Sequence, residues 1–207
     1  MALVKLNNRG VRSATTFGSI TGLGSMVFIK KQTASSSATI DFVDGTSDVV
    51  LDNTYKEYLF TFNNIHPETD QTSLLFQGNA AGGSGYNETI TSTDFIVYHA
   101  EGDSPAAMGY NTAGDQAQGT NFEYLCAVDL GNDNDQNLCG TLQLFNPSST
   151  TFVKHFIARS NYVHEADWSI DYFKAGYFNT TSAIDEIQFK FSSGNIDAGD
   201  ICLYGIN

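Results

Sequence analysis

The sequence predicts an all-β protein, an antiparallel sandwich of two sheets, and three observations support that prediction. From residue 26 onward, short runs rich in β-branched and aromatic residues alternate with turn residues. The chain contains 15 Phe and 10 Tyr, which pack well on a pleated sheet. No segment shows the helical period over three turns. A length of 207 residues suits one large β domain.

Alternation of apolar and polar residues defines the predicted strands and their buried faces. Tyr58, Phe60 and Phe62 share one face of the run 55–63, and Ile187, Phe189 and Phe191 share one face of 186–191. The latter run, a turn at 193–195 and the run 200–205 predict a C-terminal hairpin that closes one sheet. The predicted strands are 26–30, 38–43, 55–63, 74–77, 94–99, 123–130, 141–145, 151–159, 169–173, 176–178, 186–191 and 200–205.

The segments between these strands are predicted as connections. Residues 32–37 are polar, and 78–85 is the most glycine-rich stretch of the chain, which predicts a long surface loop. Residues 112–118 fit a single helical turn. Residues 1–25 are interrupted by glycines and rich in Ser and Thr, which predicts an extended N-terminal arm ahead of a sandwich domain at 26–207.

Charge is divided unevenly between these two parts. The formal net charge is −13, yet residues 1–31 contain five basic side chains and no acid. A basic arm ahead of an acidic body is typical of docking onto an acidic surface, although such charges also serve solubility alone. The predicted docking residues are Lys5, Arg9, Arg12, Phe17, Ile20, Lys30 and Lys31. The acidic body argues against nucleic acid as the main partner, and no apolar run is long enough to span a membrane.

The residues that could perform chemistry do not form a recognisable motif, so we expect no catalytic site, no cofactor and no metal. Cys126, Cys139 and Cys202 are widely spaced, and the simplest interpretation is three free thiols in a reducing cytosol, although two could pair in an oxidising compartment. The run 129–135 is rich in Asp but departs from a calcium-loop register, which favours a polar loop. A polysaccharide-degrading enzyme would need two facing carboxylates in a cleft.

Three aromatic residues, chosen by type alone, are candidates for binding a sugar. Tyr86, Tyr110 and Trp168 are predicted to lie in loops, and loops carry binding in sandwich scaffolds. Trp168 stands beside Glu165 and Asp167, as a sugar-stacking platform would. A partly buried structural role is the alternative for this single Trp.

Several stretches resemble virion structural proteins of tailed phages of marine bacteria, including cyanobacterial phages. The C-terminal stretch IDEIQFKFSSGNIDAGDICLYGI at 184–206 is similar to a recurrent signature of that group, and four further stretches are similar as well. These are TASSSATIDFVDGTSD at 33–48, YKEYLFTFNNIHP at 55–67, DLGNDNDQ at 129–136 and GTLQLFNPSSTTFVKHFIA at 140–158; the lead RSATTFGSITGLGSM at 12–26 also resembles the group.

The resemblance implies a jelly-roll-like sandwich that serves as a fibre, spike or capsid decoration subunit, assembled in the host cytoplasm. We therefore expect a non-enzymatic virion protein whose arm binds other capsid or tail proteins. Because a single small arm is a weak anchor, a homo-oligomer is expected, with a trimer favoured. The alternative is a lectin-like module that recognises glycan on the host surface.

Overall fold

A computed structural model describes residues 25–126 and 129–207, and none of these residues lies in a helix. They form the strands β1 (Met26–Ser37), β2 (Ile40–Val43), β3 (Glu57–Pro67), β4 (Leu74–Ala80), β5 (Ile90–Ala100), β6 (Ala106–Tyr110), β7 (Glu123–Tyr124), β8 (Leu138–Phe145), β9 (Lys154–His164), β10 (Trp168–Phe178), β11 (Ile184–Phe191) and β12 (Ile196–Ile206).

These strands assemble into two antiparallel sheets of unequal size. The large sheet has the strand order β1-β12-β3-β8-β9-β10-β5-β6, and the small sheet has the order β2-β11-β4-β7. Buried aromatic side chains from the two sheets meet between them, which is the arrangement of a β-sandwich. The predicted all-β sandwich is confirmed, whereas its jelly-roll character stays a prediction.

Phe189 of the small sheet is one centre of the core. Its ring lies 5.3 Å from the rings of both Phe60 and Phe62 on β3, and 6.2 Å from that of Phe42. These edge-to-face contacts are the favoured geometry for buried aromatic pairs. The predicted inward faces of β3 and β11 are therefore confirmed.

Strand lengths differ from the predicted ones wherever polar residues continue a strand. The polar residues 32–37 belong to β1, and Gly78 to Ala80 extend β4, so the predicted connections there are too long. Residues 106–110, which were not predicted as a strand, form β6 at one edge of the large sheet. The predicted helical turn at 112–118 is wrong, because this segment is a turn followed by irregular backbone.

The predicted C-terminal hairpin is also wrong. The turn at 193–195 exists, and Gly194 occupies it with a φ of 70°. However, β11 pairs with β2 and β4 in the small sheet, while β12 pairs with β1 and β3 in the large sheet. The turn thus carries the chain from one layer of the sandwich to the other.

Candidate functional site

The outer face of the large sheet carries a row of aromatic and charged side chains across its β9–β10–β5–β6 half. Pairing places Arg159, Phe173, Phe95 and Tyr110 opposite one another on successive strands. The rings of Phe95 and Phe173 stack 4.5 Å apart at 10°, and the Arg159 guanidinium carbon lies 4.6 Å above the Phe173 ring. These contacts stiffen a surface that the rest of the described chain leaves open.

Apolar exposure on this outer face is unusually high. Met108 is 74% exposed, Tyr110 54%, Ile157 52% and Phe95 42%. Beside them, Ile157, Ala175 and Tyr177 line a shallow concavity of about 420 Å³. Contiguous apolar surface of this kind marks protein-interaction sites rather than ordinary solvent-facing sheet.

Formal charge is nearly absent from the same surface. Within β9, β10, β5 and β6, all of which the structure describes, the fully charged side chains on this face are Arg159 and Asp171. They neutralise each other in a salt bridge of 2.6 Å between Arg159 Nη2 and Asp171 Oδ2. In a chain of net charge −13, a face without net charge stands out. Depletion of charge is characteristic of the central part of protein interfaces.

The inner face of the large sheet holds a second aromatic group where the small sheet does not cover it. Trp168 stacks between Tyr98, 5.4 Å away at 18°, and His164, 4.5 Å away at 12°. Together with Asn111 and Ile170, these rings line a recess of about 260 Å³. The amide nitrogen of Asn111 is buried and has no hydrogen-bond partner among the described residues. The recess therefore combines an aromatic wall with a polar side chain.

The three predicted glycan-binding residues do not form one site. Tyr110 and Trp168 lie in β6 and β10, so their predicted loop positions are wrong. They also face opposite sides of the large sheet, since Tyr110 is paired with Phe95 while Trp168 stacks on Tyr98. Tyr86 lies in the β4–β5 connection, where its ring is 6.3 Å from that of Phe122. Tyr98 and Asn111, which the sequence does not single out, complete the recess around Trp168.

The predicted docking residues fall into two groups. Lys5, Arg9, Arg12, Phe17 and Ile20 lie outside the described residues. Lys30 and Lys31 lie within β1, at the edge of the large sheet opposite β6. Lys31 is already paired, because its Nζ lies 3.0 Å from Asp200 Oδ2 on β12. Hydrogen bonds from the Thr33 hydroxyl and then from Lys31 lower the pKa of Asp200.

A buried charged cluster is the feature that sequence analysis missed. Lys174 on β10 is fully buried and lies between Asp94 on β5 and Glu123 on β7. The sequence predicts two strands in this region, 169–173 and 176–178, with a break at 174–175. The structure instead has one continuous strand whose inward lysine is paired. In the sequence, the sign of this cluster is that Lys174 occupies an inward-facing position of the alternating strand, between Tyr172 and Phe178.

The other candidate groups are dispersed. Cys126, Cys139 and Cys202 are free thiols, as predicted, and Cys126 and Cys202 are buried. Burial raises the pKa of Cys126 to about 12. Within residues 25–126 and 129–207, no three His, Cys, Asp or Glu side chains are grouped as metal ligands would be. No helix in this part of the chain is long and apolar enough to cross a membrane.

Comparison with known proteins gives no relative. No protein-family model, no curated protein and no solved structure matches this chain. Function must therefore be argued from the molecule's own surfaces.

Proposed function

We propose that this chain is a non-enzymatic structural protein of a phage particle, a fibre, spike or capsid decoration subunit that associates through the outer face of its large sheet. The observation that carries the proposal is the aromatic-rich surface without net charge that β9, β10, β5 and β6 form. Aromatic residues and methionine are enriched in protein interfaces. The sequence resemblance to virion proteins of tailed phages supports the same role.

In this proposal the outer face joins copies of the chain to one another, with a trimer favoured. Near the opposite edge of the sheet, Lys31 and Asp200 neutralise each other, so this ion pair gives that edge no net charge with which to attract a partner. At the β6 edge, all five strand residues are exposed, and one side of the strand has no neighbouring strand among the described residues. Sheet edges of this kind are covered or blunted in soluble proteins. A neighbouring subunit would cover both the edge and the apolar face.

The N-terminal residues are proposed to attach the oligomer to capsid or tail proteins. Their basic side chains complement acidic partners, and several arms in one oligomer raise the effective concentration of weak contacts. Deleting residues 1–24 is expected to leave a folded body that no longer enters particles. The measurement is the amount of protein in purified particles from a complementation experiment. Normal incorporation of the truncated chain would contradict this attachment.

A second candidate function is recognition of glycan on the host surface, and the Trp168 recess favours it. An aromatic wall beside polar groups is the usual composition of a small-ligand site. Trp168 is the one tryptophan of the chain, so its fluorescence reports on the recess directly. Titration with host-surface polysaccharide should quench or shift this emission. An unchanged spectrum at saturating polysaccharide would reject the recess as a glycan site, and Tyr98→Ala is the variant expected to abolish a positive signal.

A further inference from the structure

The buried amine of Lys174 lies between two carboxylates that are themselves shut off from solvent. Its Nζ is 2.8 Å from Asp94 Oδ2 and 2.6 Å from Glu123 Oε1, and the side chains involved are 0% exposed. The carbonyl oxygen of Gly114 accepts a third hydrogen bond from the same nitrogen, at 2.5 Å. A nucleophile-bearing side chain and a carboxyl group are thus held in contact in a site that excludes bulk water.

The fold fixes this contact. Lys174 and Asp94 are directly opposite each other in the pairing of β10 with β5, inside an uninterrupted antiparallel ladder of eleven residue pairs. Facing side chains on one side of such a ladder have Cβ atoms about 5 Å apart, so that their polar ends can meet. Groups held together by rigid elements react as if at very high concentration, which lowers the barrier to bond formation.

Electrostatics favours a reaction that removes charge from this site. Two carboxyl groups share one amine where no solvent reaches, and burying charge is costly even when the charges are paired. One oxygen of Asp94, Oδ1, is buried without a hydrogen-bond partner among the described residues. Converting the Lys174–Asp94 pair into an amide would eliminate one positive and one negative charge.

We propose that Lys174 and Asp94 join in an intramolecular isopeptide bond, with Glu123 as the proton carrier. The proposal is independent of the function proposed above, because it concerns the interior of the sandwich. The product is a covalent bridge between the neighbouring strands β5 and β10 that, unlike a disulfide, does not depend on the redox state of the compartment.

Formation of this amide needs no reagent beyond the three side chains. Glu123 removes a proton from the Lys174 ammonium, and the freed lone pair attacks Cγ of Asp94 to form the new C–N bond. Oδ1 departs as water, taking the proton carried by Glu123 and a second proton that leaves the nitrogen after attack. Oδ2 remains as the carbonyl oxygen of the amide. The ammonium–carboxylate pair therefore becomes a neutral amide plus one water molecule.

Tyr172 and Gly114 complete the site. The Tyr172 hydroxyl donates a hydrogen bond to Asp94 Oδ2, the oxygen that carries negative charge when Cγ becomes tetrahedral. A donor aimed at developing charge stabilises the transition state. Burial, and then the hydrogen bond to Asp94, raise the pKa of Tyr172, so the phenol keeps its proton. Gly114 lets the loop close over the site, since a Cβ there would lie 2.4 Å from Asp94 Oδ2.

The mass of the intact, denatured full-length protein tests the proposal. The expected mass is that of the sequence less one water molecule, and proteolysis should release a branched peptide that contains both residue 94 and residue 174. Lys31→Ala removes an exposed lysine that also pairs with an aspartate, and this control should keep the water deficit. A chain with the full sequence mass would overturn the proposal.

Two conservative variants distinguish the bridge from other losses of water. Glu123→Gln keeps the shape of the site without the proton carrier, and we expect it to have its full sequence mass while still folding. Asp94→Asn supplies an amide as the electrophile, so bridge formation would release ammonia and yield the same final mass as the bridged wild-type chain.

A water deficit that persists in Glu123→Gln would reject Glu123 as the proton carrier, and a deficit that maps to an aspartate elsewhere in the chain would reject the bridge. A branched peptide that joins Lys174 to Glu123 would reject Asp94 as the electrophile.

Discussion

The two faces of β10 contain the same kinds of groups in opposite surroundings. Outward, Asp171 pairs with Arg159, and Phe173 stacks on Phe95, all partly open to solvent. Inward, Lys174 pairs with Asp94 and Glu123 beside Tyr172, all buried. The outer set can be rearranged by a partner at little cost. The inner set cannot, because each group depends on the others for its hydrogen bonds.

This contrast shows that burial, rather than residue type, determines what an ion pair does in this sandwich. A pair in water exchanges one set of favourable contacts for another and contributes little. A buried pair is costly to form, and removal of one partner leaves an uncompensated charge. The inner cluster therefore fixes β5, β7 and β10 relative to one another, while the outer face is left open to solvent by the part of the chain that the structure describes.

The largest expected effect is that of Lys174→Met. Removing the amine leaves Asp94 and Glu123 facing each other in the core and also prevents the proposed bridge. Loss of one partner of a buried pair by itself costs about 3–5 kcal/mol. The free energy of unfolding from urea titration is the measurement. Arg159→Met is the matched variant on the outer face, and we expect it to change stability far less. Equal losses of unfolding free energy in the two variants would contradict the difference between the inner and outer ion pairs.

Gly114→Ala is expected to have the next largest effect. Its Cβ would lie 2.6 Å from the Tyr172 hydroxyl and closer still to Asp94, so the covering loop must move. Overpacking of this kind costs about 1–3 kcal/mol. Gly109→Ala on β6 is the control, because no atom lies within 4 Å of a Cβ built there. Thermal unfolding of the two variants should separate them, and an unaffected Gly114→Ala would contradict tight closure of the loop.

The smallest expected effect is a difference in labelling rate between two thiols, which involves no change in the free energy of unfolding. Cys139 is exposed, whereas Cys126 is fully buried and its pKa is raised to about 12 by that burial. Because the thiolate is the reactive form, a maleimide at neutral pH should label Cys139 first and leave Cys126 unmodified until the protein unfolds. Peptide mapping after limited labelling gives the order. Early labelling of Cys126 would contradict a closed core.

The fold class follows from the sequence because alternation and turn residues are local. The alternation around Phe60 and Phe62 indicates the buried face of their strand even when the residues that pack against it are not known. Partner choice is not local: Phe189 and Ile201 lie in neighbouring alternating strands, yet these strands pair in different sheets. A short turn between such strands fits a hairpin as well as a crossover between layers, so the hairpin prediction failed.

The sites were less predictable because they depend on groups brought together from distant positions. Lys174, Asp94 and Glu123 become a cluster only through the pairing of β5 with β10 and the packing of β7 over them. Trp168 was chosen by residue type, whereas the residues around it come from β5, β9 and the loop at 111. Selection by residue type alone therefore grouped Tyr110 with Trp168, although the two side chains lie on opposite faces of the large sheet.

Self-association in solution tests directly whether the outer face of the large sheet is an interface. Sedimentation of the full-length chain at micromolar concentration should give a multiple of 22.5 kDa, with a trimer favoured. Met108→Lys should shift the mass toward one subunit, because it places an unpaired charge on the exposed edge strand of a face without net charge. Met26→Lys, at an exposed methionine on the opposite edge of the sheet, should leave the oligomer intact. A wild-type chain that sediments as a single 22.5 kDa subunit would contradict the claim.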